Sequence, residues 1–391
     1  MVKSFQLARV PTIHFKNGII AELPGIVRSY GNKIVLVTGK NSFIRSGKAD
    51  LLLQAFKEAG IGFQIISIPG EPSPDIIDQT VKRFNNEPIN LVISIGGGSV
   101  IDAGKAISAM IYKTESVVEY LEGVGNLDHP GTKVPFIAIP TTSGTGSEAT
   151  KNAVISKIGV NGFKRSLRHD NLVPDIALVD PGLTLNCPQV ITAASGMDCF
   201  TQLTEAFLSD KSNNYTDALA MEGFEAIKKS LVRCFTEGRD IEARTGMSFA
   251  ALTSGICIAN AGLGVVHGFA SSIGGRYNIP HGLICGTLMA KSNEVNVKEL
   301  RKISNNHVAL RKYALLGHLF LDEKEKSDDY NIDGFINYLF KVTDDIQLPG
   351  LKKQGLGERD LALICSVTEC KNNPVKLSSD DLMEILTARY F

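Results

Sequence analysis

Two glycine- and hydroxyl-rich stretches, and a small set of histidines with a carboxylate, are the residues of this chain best suited to chemistry. The first stretch is Ser94-Ile95-Gly96-Gly97-Gly98-Ser99-Val100-Ile101-Asp102-Ala103-Gly104-Lys105, which follows an apolar run and opens a helical pattern. Consecutive glycines let backbone N–H groups close on an anion, and the N-terminus of the following helix adds a favourable dipole. Ser99 can cap that helix or donate to a phosphate oxygen. A tight turn without ligand is the competing reading. Three adjacent glycines are entropically costly for a turn alone, so phosphate binding is expected here.

The second stretch is Pro140-Thr141-Thr142-Ser143-Gly144-Thr145-Gly146-Ser147-Glu148-Ala149. Its Gly144-x-Gly146-x-x-Ala149 spacing has the form of the dinucleotide fingerprint, yet no acid in a suitable strand context follows about 20 residues on. The expectation is a hydroxyl-rich ligand loop rather than that fingerprint. Farther on, Asp198 and Gln202 stand four residues apart on a predicted helix and so share a face. His267 closes a charge-free stretch, and His281 lies in Ile279-Pro280-His281-Gly282. Two histidines and a carboxylate on helices suit Zn²⁺ or Fe²⁺, although a core that buries satisfied histidines has the same pattern. Glu205, beside the same face, reads as structural.

Such groups need a scaffold. Apolar, β-branched runs at 34–38, 63–68, 91–95, 136–139 and 176–179 predict buried strands, with helices predicted over 48–59, 74–84 and 99–112. Strands alternating with helices predict a parallel sheet covered on both faces, and both loops fall at strand C-terminal ends, where such sheets bind ligands. After Asp180-Pro181-Gly182 the β-branched runs vanish, and helical patterns follow over 188–209, 215–233, 241–261, 332–343 and 379–390. The expected organisation is an α/β nucleotide-binding domain over residues 1–182 and an all-α domain over 183–391, with 322–330 as an exposed charged connection. At 391 residues the chain exceeds what one core usually serves.

Lys+Arg and Asp+Glu number 41 each, so no net charge marks a nucleic-acid or anionic-membrane partner. Residues 1–10 carry charge and no long apolar run, which predicts no secretory signal. Residues 245–275 carry no Asp, Glu, Lys or Arg and are long enough to span a bilayer. Their serines, Asn260 and His267 favour a buried pair of helices instead. Seven scattered cysteines without a Cys-x-x-Cys pair suggest reduced thiols and a cytoplasmic location.

Taken together, these features resemble the iron-containing (group III) alcohol dehydrogenase family over nearly the whole chain. The matching stretches are Gly96-Gly97-Gly98-Ser99 with Asp102 and Lys105, Pro140 to Glu148, Asp180-Pro181, and Ser195-Gly196-Met197-Asp198. Ala261 to Gly268, Tyr277 to Gly282 and Asn373-Pro374 complete the set. The resemblance implies an N-terminal nucleotide domain and a helical C-terminal domain of dehydroquinate-synthase-like architecture, with the active site between them. It places Gly97, Gly98 and Ser99 at the pyrophosphate, Thr141, Thr142, Thr145 and Ser147 on the nicotinamide side, and Asp102 among the cofactor-binding residues. Lys164 would reach the ribose, and Asp198, His267 and His281 would hold a divalent metal, Fe²⁺ or Zn²⁺.

Three departures from the family pattern stand out. Gln202 occupies the place of a ligand His, offering an amide oxygen as a weaker donor. Ser271 occupies the place of a second His, and cannot act as a base near neutral pH. Where NAD-using members carry Asp after a strand, this chain has Gly39, Lys40, Asn41 and Ser42. Lys40 would attract a 2′-phosphate, so NADP(H) is expected over NAD(H). The implied activity is reversible hydride transfer between an alcohol and an aldehyde or ketone, in a homodimer or larger homo-oligomer. A non-redox lyase or cyclase, or a nucleotide-binding protein with a degenerate metal site, is the alternative. Phe163, Phe200, Phe269 and Cys285 are candidates for the substrate lining.

Overall fold

A computed structural model of the chain describes residues 4–40, 43–85, 87–322 and 325–391. Asn41 and Ser42, read above beside Lys40, lie outside the described residues, as do the first three residues of the opening stretch.

The first half contains β1 (Thr12–Phe15), α1 (Leu23–Arg28), β2 (Lys33–Gly39), α2 (Lys48–Glu58), β3 (Gly62–Ile68), α3 (Pro74–Phe84), β4 (Leu91–Gly96) and α4 (Gly98–Met110). It continues with β5 (Phe136–Pro140), β6 (Asn152–Lys157), β7 (Phe163–Arg168) and β8 (Ile176–Val179). Six strands form one sheet in the order β1-β8-β5-β4-β2-β3, and every pairing in it is parallel. β4 and β5 are buried at every residue, which is why they read as unbroken apolar runs rather than alternating ones. The chain order reverses between β2 and β4, and that switch point is where open α/β sheets form a ligand crevice. The α/β half is therefore as expected.

Three of its strands and α1 lie outside the predicted elements. β1 is a short edge strand with two exposed residues, too polar to stand out as a buried run. β6 and β7 form a separate antiparallel hairpin. The side chain of Lys105 ties α4 to this hairpin and to the second loop. Its Nζ is fully buried and donates to the carbonyls of Ser147 at 2.9 Å, Thr150 at 2.9 Å and Asn152 at 2.8 Å. Burial lowers its pKa to about 8, against the pull of Asp102 and Glu148.

The second half is helical: α5 (Gln189–Leu208), α6 (Asn214–Thr236), α7 (Ile241–Ala261), α8 (Val265–Gly274), α9 (His281–Ile303), α10 (Val308–Leu321), α11 (Asp328–Asp345), α12 (Leu361–Val367) and α13 (Ser379–Ala388). α9, α10 and α12 lie outside the predicted helices, and the charged connection ends earlier than expected. There Ser327 accepts from the Tyr330 N–H and caps α11. The charge-free stretch is α7 followed by α8, bent by 98° and largely buried against the other helices. Among the described residues no single helix is long and apolar enough to cross a membrane, although this bent pair meets a length-and-composition test. All seven cysteines are free.

Candidate active site

The glycine stretch connects β4 to α4. Gly97 sits in extended conformation just ahead of the helix, with no side chain capping the free N–H groups behind it. Gly96 pairs with Pro140 in register, so the two ligand loops lie side by side at the sheet's C-terminal edge. They touch through Gly98, where an added Cβ would stand 2.6 Å from Thr145 Oγ1. The hydroxyl loop also seats the helical half: Gly146, at φ +59°, is pressed so close to α7 that a Cβ would lie 2.5 Å from Ala251 O and Gly255 N. A short 3₁₀ turn and then β6 follow that glycine, not the long helix a dinucleotide fingerprint requires. The fingerprint spacing was indeed a decoy.

Thr141 and Ser147 are buried in this loop, while Thr142 and Thr145 are partly exposed. Asp102 accepts from Ser147 Oγ and from the Val154 N–H at 3.0 Å, so both its oxygens already have protein donors. Ser99 Oγ donates to Glu71 Oε1 at 3.1 Å, and Lys164 Nζ pairs with Glu71 Oε2 at 2.9 Å. Glu71 thus binds two expected cofactor residues to one another, and nothing in its sequence context marked it. Burial works to raise the pKa of Glu71, but Lys164 holds it below the ordinary range. Gly39 closes β2 next to β4, and Lys40 beyond it is exposed.

Across the cleft, three helices bring a donor cluster together. Asp198 lies on α5, His267 in the first turn of α8, and His281 at the start of α9 after Pro280. Asp198 Oδ1 is 3.4 Å from His267 Nε2 and 3.7 Å from His281 Nε2. Cys285 joins them, with Sγ 3.7 Å from the Nε2 of each histidine. One ligand atom from each of these four residues lies within 4.8 Å of every other. Asp198 Oδ1 is buried without a hydrogen-bond partner. A buried, orphaned carboxylate oxygen facing two imidazole nitrogens fits a divalent cation, since such a group is costly otherwise.

The electrostatics agree. Burial opposes charge on His267, but Cys285, Glu205 and Asp198 around it push its pKa well above the usual value. The pocket therefore favours positive charge at its centre. Burial first, with Lys164 and His267 adding, lowers His281 to about 4, leaving a neutral imidazole ready to donate its lone pair.

Glu205 does more than the structural role the sequence suggested. One oxygen accepts from the Val266 N–H at 2.7 Å, at the N-terminus of α8, and the other meets His267 Nδ1 at 2.6 Å. Carboxylates in this position fix the tautomer and orientation of a ligand histidine. Gln202 lies one turn beyond Asp198, and its Oε1 accepts from Ser254 Oγ at 2.8 Å. At the mouth, Lys371 Nζ donates to His267 O at 3.0 Å and reaches Ser271 Oγ at 3.4 Å. Two of the suggested lining residues fall elsewhere: Phe200 and Phe269 are fully buried in the helical core.

One cavity of about 180 Å³ joins the halves, lined by Gly98, Ser99 and Thr145 from the sheet side and by Gln202, His267 and His281 from the helices. A larger one of about 540 Å³ adjoins it and shares Lys164, Ser271 and Lys371.

Residues 11–181 match the family described as "Iron-containing alcohol dehydrogenase", and residues 192–390 match "Fe-containing alcohol dehydrogenase family, C-terminal". "Alcohol dehydrogenase 4" of Saccharomyces cerevisiae (strain YJM789) is 28% identical over 386 residues, 97% of each chain. The "NADPH-dependent butanol dehydrogenase" of Clostridium saccharobutylicum is 29% identical over 389 residues, 97% of this chain and 96% of that one. The crystal structure of a 1,3-propanediol oxidoreductase superposes with a TM-score of 0.88 at 27% identity, covering 99% of this chain and 100% of the other. All three relatives are named as oxidoreductases, which disfavours the lyase reading. Both halves of the chain belong to the iron-containing alcohol dehydrogenase family, and the protein is an oxidoreductase of alcohols and their carbonyl counterparts.

Proposed function

We propose that the cleft carries out reversible hydride transfer between an alcohol and its aldehyde or ketone, with NADP(H) as partner and Fe²⁺ or Zn²⁺ held by Asp198, His267 and His281. The observation that carries this reading is the shared cavity, which sets the phosphate loop and the imidazoles against one space. When bound, the ion supplies a Lewis acid for the substrate oxygen, and the nicotinamide supplies the hydride donor or acceptor.

The chain's own residues bind, orient and exclude water. Backbone N–H groups of Gly97, Gly98 and Ser99, at the start of α4, receive the pyrophosphate. Thr141, Thr142, Thr145 and Ser147 line the nicotinamide side, with Asp102 holding the Ser147 hydroxyl in place. Lys164, steadied by Glu71, faces the ribose. Glu205 keeps the His267 lone pair turned toward the cluster. Gln202 borders the ion site, its amide oxygen accepting from Ser254 Oγ at 2.8 Å.

Gly39 ends β2 without a carboxylate to repel a 2′-phosphate, and the exposed Lys40 ammonium attracts one. The butanol dehydrogenase relative is NADPH-dependent by name, which supports the same choice. Seven free cysteines suit a reducing compartment, and we place the enzyme in the cytoplasm as a homodimer or larger homo-oligomer. We also place the division between the two domains at residue 182. Elemental analysis of the purified protein, with NADPH and NADH binding titrations and an alcohol–aldehyde panel, tests the reading. Tighter NADPH binding and a metal-dependent change in nicotinamide absorbance are expected. Metal-loaded protein inert to the whole panel, or preferring NADH, overturns it.

A further inference from the structure

We propose that Cys285 Sγ is a fourth protein ligand of the divalent ion, filling the place that the family gives to an imidazole and that Gln202 leaves open. This rests on the metal reading above, with the substrate oxygen entering as a fifth ligand. Three observations carry it. Cys285 lies four residues after His281 on α9, so both side chains emerge from one helical face, the spacing of a chelating pair. The distances also close. With metal–nitrogen and metal–oxygen bonds of about 2.0–2.2 Å, metal–sulfur of about 2.3 Å and tetrahedral angles, the N···O edges come to about 3.4 Å and the N···S edges to about 3.6 Å. The structure has N···O edges of 3.4 and 3.7 Å and two N···S edges of 3.7 Å. Finally, the Gln202 amide oxygen accepts from the Ser254 hydroxyl, whereas Cys285 Sγ is turned into the cluster, 3.7 Å from the Nε2 of both histidines.

As the sulfur–metal bond forms, the thiol S–H bond breaks and its proton leaves to solvent; nothing is oxidised. A set of two imidazoles, one carboxylate and one thiolate suits borderline-soft Zn²⁺ better than the all-hard sets that take Mg²⁺ or Mn²⁺.

The test uses the full chain, stripped of metal by dialysis against a chelator. Co²⁺ is added back and the near-ultraviolet spectrum is read for sulfur-to-cobalt charge transfer. In parallel, Zn²⁺ affinity is measured by competition with a chromophoric chelator for the wild type, Cys285→Ser and Gln202→Ala. The charge-transfer band is expected in the wild type and absent in Cys285→Ser. The serine variant should lose at least about tenfold in Zn²⁺ affinity, the lower bound of what even outer-shell partners cost. Gln202→Ala should keep the band. Co²⁺ binding without the band, or serine-variant affinity within about twofold of wild type, overturns the ligand assignment and leaves the three-residue metal reading intact. A wild type that takes up neither ion overturns both. NADPH binding by the stripped variants checks that they are folded, and the wild-type spectrum decides the matter if they are not.

Discussion

Replacing Glu205 by glutamine removes one negative charge and keeps the side chain's shape. In the wild type its two oxygens serve two donors at once, the Val266 N–H at 2.7 Å and His267 Nδ1 at 2.6 Å. Glutamine has a single acceptor oxygen, so one of those donors must face an NH₂ group. If the amide turns its nitrogen toward His267, the ring is driven to carry its proton on Nε2, the atom that points at Asp198 and Cys285. If it turns the other way, the Val266 N–H is left unmet at the start of α8, a cost of about 1–3 kcal/mol. Loss of a carboxylate behind a ligand histidine weakens metal binding by roughly 10–100-fold, which is about 1.4–2.7 kcal/mol. Glu205→Gln should therefore show that loss in a Zn²⁺ competition titration, with a lowered melting temperature of the metal-free protein. A Zn²⁺ affinity within twofold of wild type would refute the claim that Glu205 orients His267.

Other outcomes follow from single contacts. Gly98→Ala places a Cβ 2.6 Å from Thr145 Oγ1, whereas Gly97→Ala meets nothing nearer than 3.3 Å. NADPH affinity, read by nicotinamide fluorescence, should fall at least about tenfold for the first, some 1.4 kcal/mol, and less for the second; the reverse order contradicts the loop geometry. Lys40→Asp should weaken NADPH and improve NADH by about tenfold each, with little change in melting temperature since Lys40 is exposed; unchanged binding of both nucleotides removes Lys40 from the cofactor site. Burial raises Glu148 from an ordinary 4.5 to about 7, against bonds from its own backbone and the nearby Lys105. The folded state then holds a proton that the unfolded chain has released, so stability falls as pH climbs from about 4.5 to about 7, by up to about 3 kcal/mol. Glu148→Gln should flatten that slope in urea titrations at pH 5 and pH 8, and an equally steep variant would show that another group is responsible.

Much of this enzyme could be read in one dimension because the relevant signals are local. A buried parallel strand must be apolar at every residue, and the loop that follows must be small enough for backbone to meet an anion. β4 and its three glycines satisfy both conditions within a dozen residues. Asp198, His267 and His281 were recognisable by type and motif, and helix periodicity located α3 and α7 at their observed ends. Weakly patterned elements escaped: β1 is half exposed, and α9 carries polar residues on several faces.

What the chain order could not show is which distant groups meet. Glu71 joins Ser99 to Lys164 across 28 and 93 residues, and Glu205 reaches His267 across 62. By sequence Cys285 reads as a core residue or a wall of the substrate cleft; α8 and α9 bring both imidazoles onto its sulfur. Residue type and local spacing therefore determined β2, β3, β4, β5 and β8, the glycine stretch, and Asp198, His267 and His281 as candidate ligands. Their mutual distances, and with them the orientation of each donor, came from the packing of helices against one another, a property of the folded core that no short window of sequence contains.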